Sequence, residues 1–192
     1  MLTKWIKAAS LIRNAGNAAY SPLPSRAFPG YGSQKGSIEA KDVGNVTRYL
    51  SMFCNTSFDS TFRTDSSLGI VGVYVGSDGT PATDTDYKLG SVITALTGSS
   101  TANFVYDPDT NKTLLNIDIT LSNNTTENIT IREVGYVVGF YASDTLGGNV
   151  TNTVRNVLGD RTVLDAPMTI ASGAAGVLRY QFQYPGLILP TE

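Results

Sequence analysis

Asp78, Asp84 and Asp86 fall close together in a Gly/Thr-rich stretch that ends at Tyr87. Three carboxylates at this spacing have the chemistry to hold a hard cation or to work as an acid–base pair. Asp is also a habitual turn residue, and a soluble, turn-rich loop is the favoured reading. Asp107, Asp109 and Asn111 alternate oxygen-bearing side chains as the opening of a calcium loop does. The pattern then breaks, because Lys112 stands where an EF-hand needs Gly and Asp118 where it needs a bidentate Glu. A hairpin turn is expected there instead.

Cys54 is the only cysteine, so no intrachain disulfide forms, and next to Met52 and Phe53 it suits a small buried hydrophobe. A nucleophilic thiol needs a base, and the chain contains no histidine. The same absence removes the commonest general acid–base group and a frequent zinc ligand. Arg132 and Glu133 are adjacent, which fits either a local ion pair or a subunit contact. Seven Asn-x-Ser/Thr sequons, at Asn45, Asn55, Asn111, Asn123, Asn124, Asn128 and Asn149, are chance matches in a chain so rich in Asn and Thr. The sequence predicts no catalytic, cofactor-binding or metal-ligating residue, and a protein that is not an enzyme.

The elements that carry these residues read as strands. Charged residues are 16% of the 192, well below the usual share of about 25%. Thr, Ser, Asn and Gly fill the difference and favour strands and turns. Alternation predicts strands near 47–53, 69–75, 91–97, 103–106, 113–121, 128–132, 135–141, 162–164, 168–171 and 177–184. Leu115, Ile117, Ile119 and Leu121 share one face, leaving Asn116, Asp118 and Thr120 for solvent or a partner. The denser run Val134, Tyr136, Val137, Val138, Phe140 and Tyr141 suits a strand covered on both faces. The expected fold is all-β, an antiparallel β-sandwich (jelly-roll-like) occupying 46–192.

Residues 1–45 read differently. Leu2, Trp5, Ile6, Ala9 and Ile12 recur at helical spacing, with Lys4, Lys7 and Arg13 mostly off the stripe, predicting a short amphipathic helix over 2–13. Docking on a partner, packing on the chain's own domain and lying on a membrane surface all remain open for it. Pro22, Pro24, Pro29, Gly30, Gly32 and Gly36 then mark an extended arm. A net charge of −2 gives no electrostatic case for nucleic acid, and no apolar run reaches a membrane span. The first residues lack a signal peptide's unbroken apolar stretch, so assembly in a cytoplasm is expected.

Three segments in order resemble parts of small all-β virion structural proteins of tailed bacteriophages, the neck, tail and fibre-associated components. They are Val73-Tyr-Val-Gly-Ser-Asp-Gly-Thr-Pro-Ala-Thr-Asp-Thr-Asp-Tyr-Lys-Leu89, Ile129-Thr-Ile-Arg-Glu-Val-Gly-Tyr136, and the run from Leu158 through Asp160, Arg161 and Pro167 to Gly173. The resemblance spans about 69–184 and excludes the helix and arm. It implies a multi-copy neck or tail protein of the virion that contacts copies of itself and other virion proteins as a homo-oligomer, without catalysis or cofactor. The alternative is a receptor- or glycan-binding fibre or decoration module, for which Tyr87 and Tyr106 are the loop aromatics.

Overall fold

A computed structural model describes residues 38–50, 59–110, 112–144 and 154–185. The predicted helix, most of the arm, Cys54, Asn55, Asn111 and Asn149 lie outside the described residues.

Eight antiparallel strands follow in chain order: β1 (Ile38–Lys41), β2 (Thr47–Leu50), β3 (Gly72–Gly76), β4 (Leu96–Asp107), β5 (Lys112–Asn123), β6 (Ile129–Ser143), β7 (Val154–Ile170) and β8 (Ala175–Pro185). Among the described residues there is no helix. Strand β6 organises a five-stranded sheet, with β7 along one edge, β3 along the other over 133–137, and β2 paired at its end with Ala142 and Ser143. Strand β1 pairs outside β2. A three-stranded sheet in the order β4-β5-β8 covers one face of it.

The alternation read in β5 holds. Leu115, Ile117, Ile119 and Leu121 are buried in one cluster with Val73, Val75, Val134, Tyr136, Val138 and Phe140. Burial of each such side chain stabilises the fold by about 1.5–3 kcal/mol. Asn116, Asp118 and Thr120 take the other face, where Asp118 meets Arg179 and Asn116 accepts from Gln181. The expectation that β6 is covered on both faces also holds. Leu68, Tyr74, Leu89, Val137 and Leu158 form a second cluster behind it, under the loop that joins β3 to β4. Leu89 packs so tightly on β6 that a Cβ at Gly135 would stand 2.1 Å from its Cδ1.

Several predicted strands merge. The segments expected at 128–132 and 135–141 are one strand, as are those at 162–164 and 168–171. Two register shifts in the β6–β7 pairing explain the misreading. One lies between Ile131 and Glu133, so Ile131 and Val134 both face the inter-sheet core, three residues apart. The other leaves Gly159 without a cross-strand partner, so Leu158 and Arg161 reach the outer face while Val157 and Asp160 face inward. An extra residue in a strand shifts the two-residue period and hides a long strand from any alternation rule. Conversely, the strand expected over 91–97 begins only at Leu96, since Ser91 to Ala95 carry the chain from one sheet to the other. Strand β1 lies within the stretch expected to be arm; at four residues it is too short for periodicity to declare.

Turn chemistry closes the joints. Asp42 accepts from the amides of Gly44 and Val46 and from Arg48, fixing the β1–β2 turn in which Asn45 takes a positive φ of 66°. Asn123 is fully buried where β5 turns into β6. Its Nδ2 donates to the carbonyls of Glu127 (2.7 Å) and Ile170 (3.0 Å), and its Oδ1 accepts from the amide and hydroxyl of Thr125. The sequon there is thus a structural corner.

Candidate functional site

The densest polar constellation lies on the outer face of the five-stranded sheet. Glu133 on β6 and Arg161 on β7 both project there, as the two register shifts dictate. Arg161 Nε donates to Glu133 Oε2 at 2.6 Å. Its NH1 donates to Asp86 at 2.9 Å, and its NH2 to Asp78 at 3.3 Å and to the Thr80 carbonyl at 3.0 Å. Glu133 also accepts from the amides of Ser91 (2.9 Å) and Gly90 (3.1 Å). The loop between β3 and β4 is therefore clasped to the sheet at both of its ends by one buried ion pair. Gly76, directly opposite Glu133 in the ladder, leaves room for this carboxylate: a Cβ there would come within 2.2 Å of Oε1.

The electrostatics follow from these contacts. Burial alone would raise the Asp86 carboxyl, but the Thr83 amide and the Arg161 guanidinium outweigh it and hold the group below its ordinary value. At Asp78 the Thr80 amide and hydroxyl lead, with Arg161 adding to them, and the shift is again downward. Burial works against the Arg161 cation, yet Glu133 and Asp86 raise its affinity for its proton. Guanidinium is a planar fork of five donors, and here its three nitrogens are engaged. The cluster holds one cation against three carboxylates through fixed hydrogen bonds.

On the opposite face the neighbouring residue, Asp160, projects between the sheets and accepts from the Tyr180 hydroxyl of β8. Thr162 donates to the same oxygen. Burial raises the Asp160 carboxyl, and burial together with the adjacent Asp160 charge pushes the Tyr180 phenol well up. Consecutive residues of β7 thus tie its sheet to the outer loop on one side and to the second sheet on the other.

Of the residues singled out in the sequence, Asp78 and Asp86 come together on Arg161, and Asp84 stays exposed on the same loop. Arg132 and Glu133 do not form the local ion pair: Glu133 pairs with Arg161, 28 positions on, and Arg132 is exposed. Asp107 closes the β4–β5 hairpin by accepting from the amides of Asp109 and Thr110 and from the Thr110 hydroxyl. Asp118, expected to face outward, pairs with Arg179. Tyr87 is half-buried between Lys41 and Lys88, with each ammonium under 6 Å from its ring, whereas Tyr106 is exposed on β4. Tyr87 lies on the loop between β3 and β4, and Tyr106 on strand β4 itself. Sequence reasoning missed Arg161, Asp160 and Asn123. A usable signal existed for the first two: adjacent opposite charges inside an apolar run of a chain otherwise poor in charge.

No protein-family model matches this chain, no curated protein matches it, and no solved structure matches its fold. No described helix is long and apolar enough to cross a membrane.

Proposed function

We propose that this protein is a structural component of a bacteriophage virion, a multi-copy neck or tail protein without catalysis. Its sandwich serves as a jelly-roll-like rigid block, and residues 1–37 supply a helix and arm that reach neighbouring subunits. The observation that carries this reading is the clasp on Arg161. The three segments that resemble tailed-phage virion proteins lie far apart in sequence, yet they supply its members: Asp78 and Asp86 from the first, Glu133 from the second, Arg161 from the third. In the fold they form the loop and the adjacent strands β3, β6 and β7. A buried ion pair held by so many fixed donors favours one conformation over a reactive one, which suits a building block.

The test is incorporation. Purified particles should contain the chain in many copies by quantitative mass spectrometry. A version lacking residues 1–37, which keeps β1 and its hairpin, should fold with unchanged circular dichroism and fail to enter the particle. Absence of the full chain from particles would reject the reading, and normal entry of the truncated chain would reject the role of the arm.

A further inference from the structure

We infer that β4 is a self-pairing edge: two copies of this chain join antiparallel along β4, about a two-fold axis at Ala102, making one six-stranded sheet. The inference deepens the assembly reading above by naming the surface and its occupant.

Strand β4 pairs with β5 through twelve residues without a register shift, and no described strand pairs with its other edge. A long, regular edge is a template for strand addition, which proteins ordinarily blunt with charge, proline or a bulge. From Leu96 to Tyr106 there is no charged residue and no proline. The opposite edge of the same sheet is blunted. Strand β8 displays Arg179, 61% exposed, and ends at Pro185, which has no N–H to give. Among the described residues the sheet therefore has one protected edge and one open edge.

The side chains carry the same asymmetry. Phe104 stands directly opposite Leu115, a core residue, yet Phe104 is 70% exposed and Tyr106 57%. Cover on this face thins along β4: Phe62 packs on Gly98, Ser60 accepts from the Ser100 hydroxyl, and beyond them Phe104 and Tyr106 are exposed. On that row Gly98, Ser100 and Ala102 are small, and Phe104 and Tyr106 are large. A two-fold at Ala102 sets Phe104 of each copy opposite Ser100 of the other, and Tyr106 opposite Gly98. Large meets small at each step. Asp107 falls opposite Thr97, so no like charges meet, which strongly opposed pairs would forbid. A closed isologous pair follows, whereas joining β4 to β8 of the next copy would give an open chain.

The area sets the strength. An aromatic side chain carries about 150–250 Å², so the exposed parts of Phe104 and Tyr106 amount to on the order of 250 Å² per copy, against about 800 Å² per partner in a standard interface. Pairing is weak for two free chains and becomes effective when other contacts hold copies together.

The full-length chain carrying Cys54→Ser and Ala102→Cys tests this, because directly opposed residues have Cβ atoms about 4.5–5.5 Å apart, close to disulfide reach. Mild oxidation should yield a covalent dimer, while Val177→Cys in the same background, 63% exposed on β8, should stay monomeric. Sedimentation of the unmodified chain should show association that rises with concentration and that Phe104→Lys weakens about tenfold or more. Circular dichroism identical to the parent would show that this variant folds. A chain monomeric at every concentration, association untouched by Phe104→Lys, or cross-linking at 177 in place of 102 would each overturn the inference. The two readings fail separately. Particles that contain the chain at full copy number with Phe104→Lys would retire the β4 contact and keep the virion role. A β4 dimer whose chain is missing from particles would do the reverse.

Discussion

Arg161 and Glu133 lie on neighbouring strands, two residues out of direct register, and their side chains meet on the outer face with Nε 2.6 Å from Oε2. Glu133 is fully buried and Arg161 nearly so. Charges taken this far from water are tolerated because each is paired and hydrogen-bonded in several directions.

Removing one partner should therefore cost far more than removing both. Arg161→Ala strands a buried carboxylate and should lower unfolding free energy by about 3–5 kcal/mol. Arg161→Lys should recover only part of this, since an ammonium lacks the fork that spans Glu133, Asp86 and Asp78. The double variant Glu133→Gln, Arg161→Met should lose less than the sum of the single changes. Urea denaturation of the four proteins gives the coupling energy, and strict additivity would disprove the clasp.

Asn123→Ala should destabilise the fold by about 2–4 kcal/mol, because it leaves the carbonyls of Glu127 and Ile170 and the amide of Thr125 without their donor or acceptor in a buried corner. Asn123→Asp should be comparably harmful, since it puts an acceptor where Nδ2 donates. A loss below about 0.5 kcal/mol, the range of ordinary surface changes, would show that the corner is held by the backbone alone.

Asp160 predicts a pH dependence of unusual sign. Its folded carboxyl is raised by burial above the ordinary 3.8. Below that value both folded and unfolded states are protonated and nothing is lost. As pH climbs from there to the raised folded value, the unfolded state ionises first and stability falls, then levels off. Asp160→Asn keeps an acceptor for Tyr180 without the charge and should raise stability at neutral pH by about 1 kcal/mol. The gain should vanish in acid. Thermal melts of both proteins from acid to neutral pH measure it.

Asp86 and Asp42 work the other way. Burial opposes the charge of each, but for Asp86 the Thr83 amide and Arg161, and for Asp42 the Val46 amide and Arg48, hold the folded carboxyl below 3.8. Their contribution is present above 3.8 and is lost as pH falls through the depressed folded values. Stability should therefore drop in strong acid, and Asp42→Asn should flatten that limb while leaving the Asp160 limb unchanged. An acid limb unaltered by Asp42→Asn would remove the β1–β2 turn from the acid response.

The amino-acid order by itself determined which faces are apolar. Composition excluded histidine chemistry, and strict alternation in Leu115 to Leu121 set the core face of β5, because a strand's two-residue period is written directly in side-chain type. The Asp107 turn was legible for a similar reason, since its hydrogen bonds span only two or three residues. Tertiary structure decided everything that depends on partners distant in sequence. Two register shifts send Glu133 and Arg161 to one face and Asp160 to the other, and no local pattern encodes where a strand adds a residue against its neighbour. The same holds for Asn123, whose donors and acceptors reach from Glu127 to Ile170, and for Phe104, which sits in a core-facing row beyond the reach of the covering sheet. Alternation assigns a side chain to a face; only the packing of one sheet on another decides whether that face is covered.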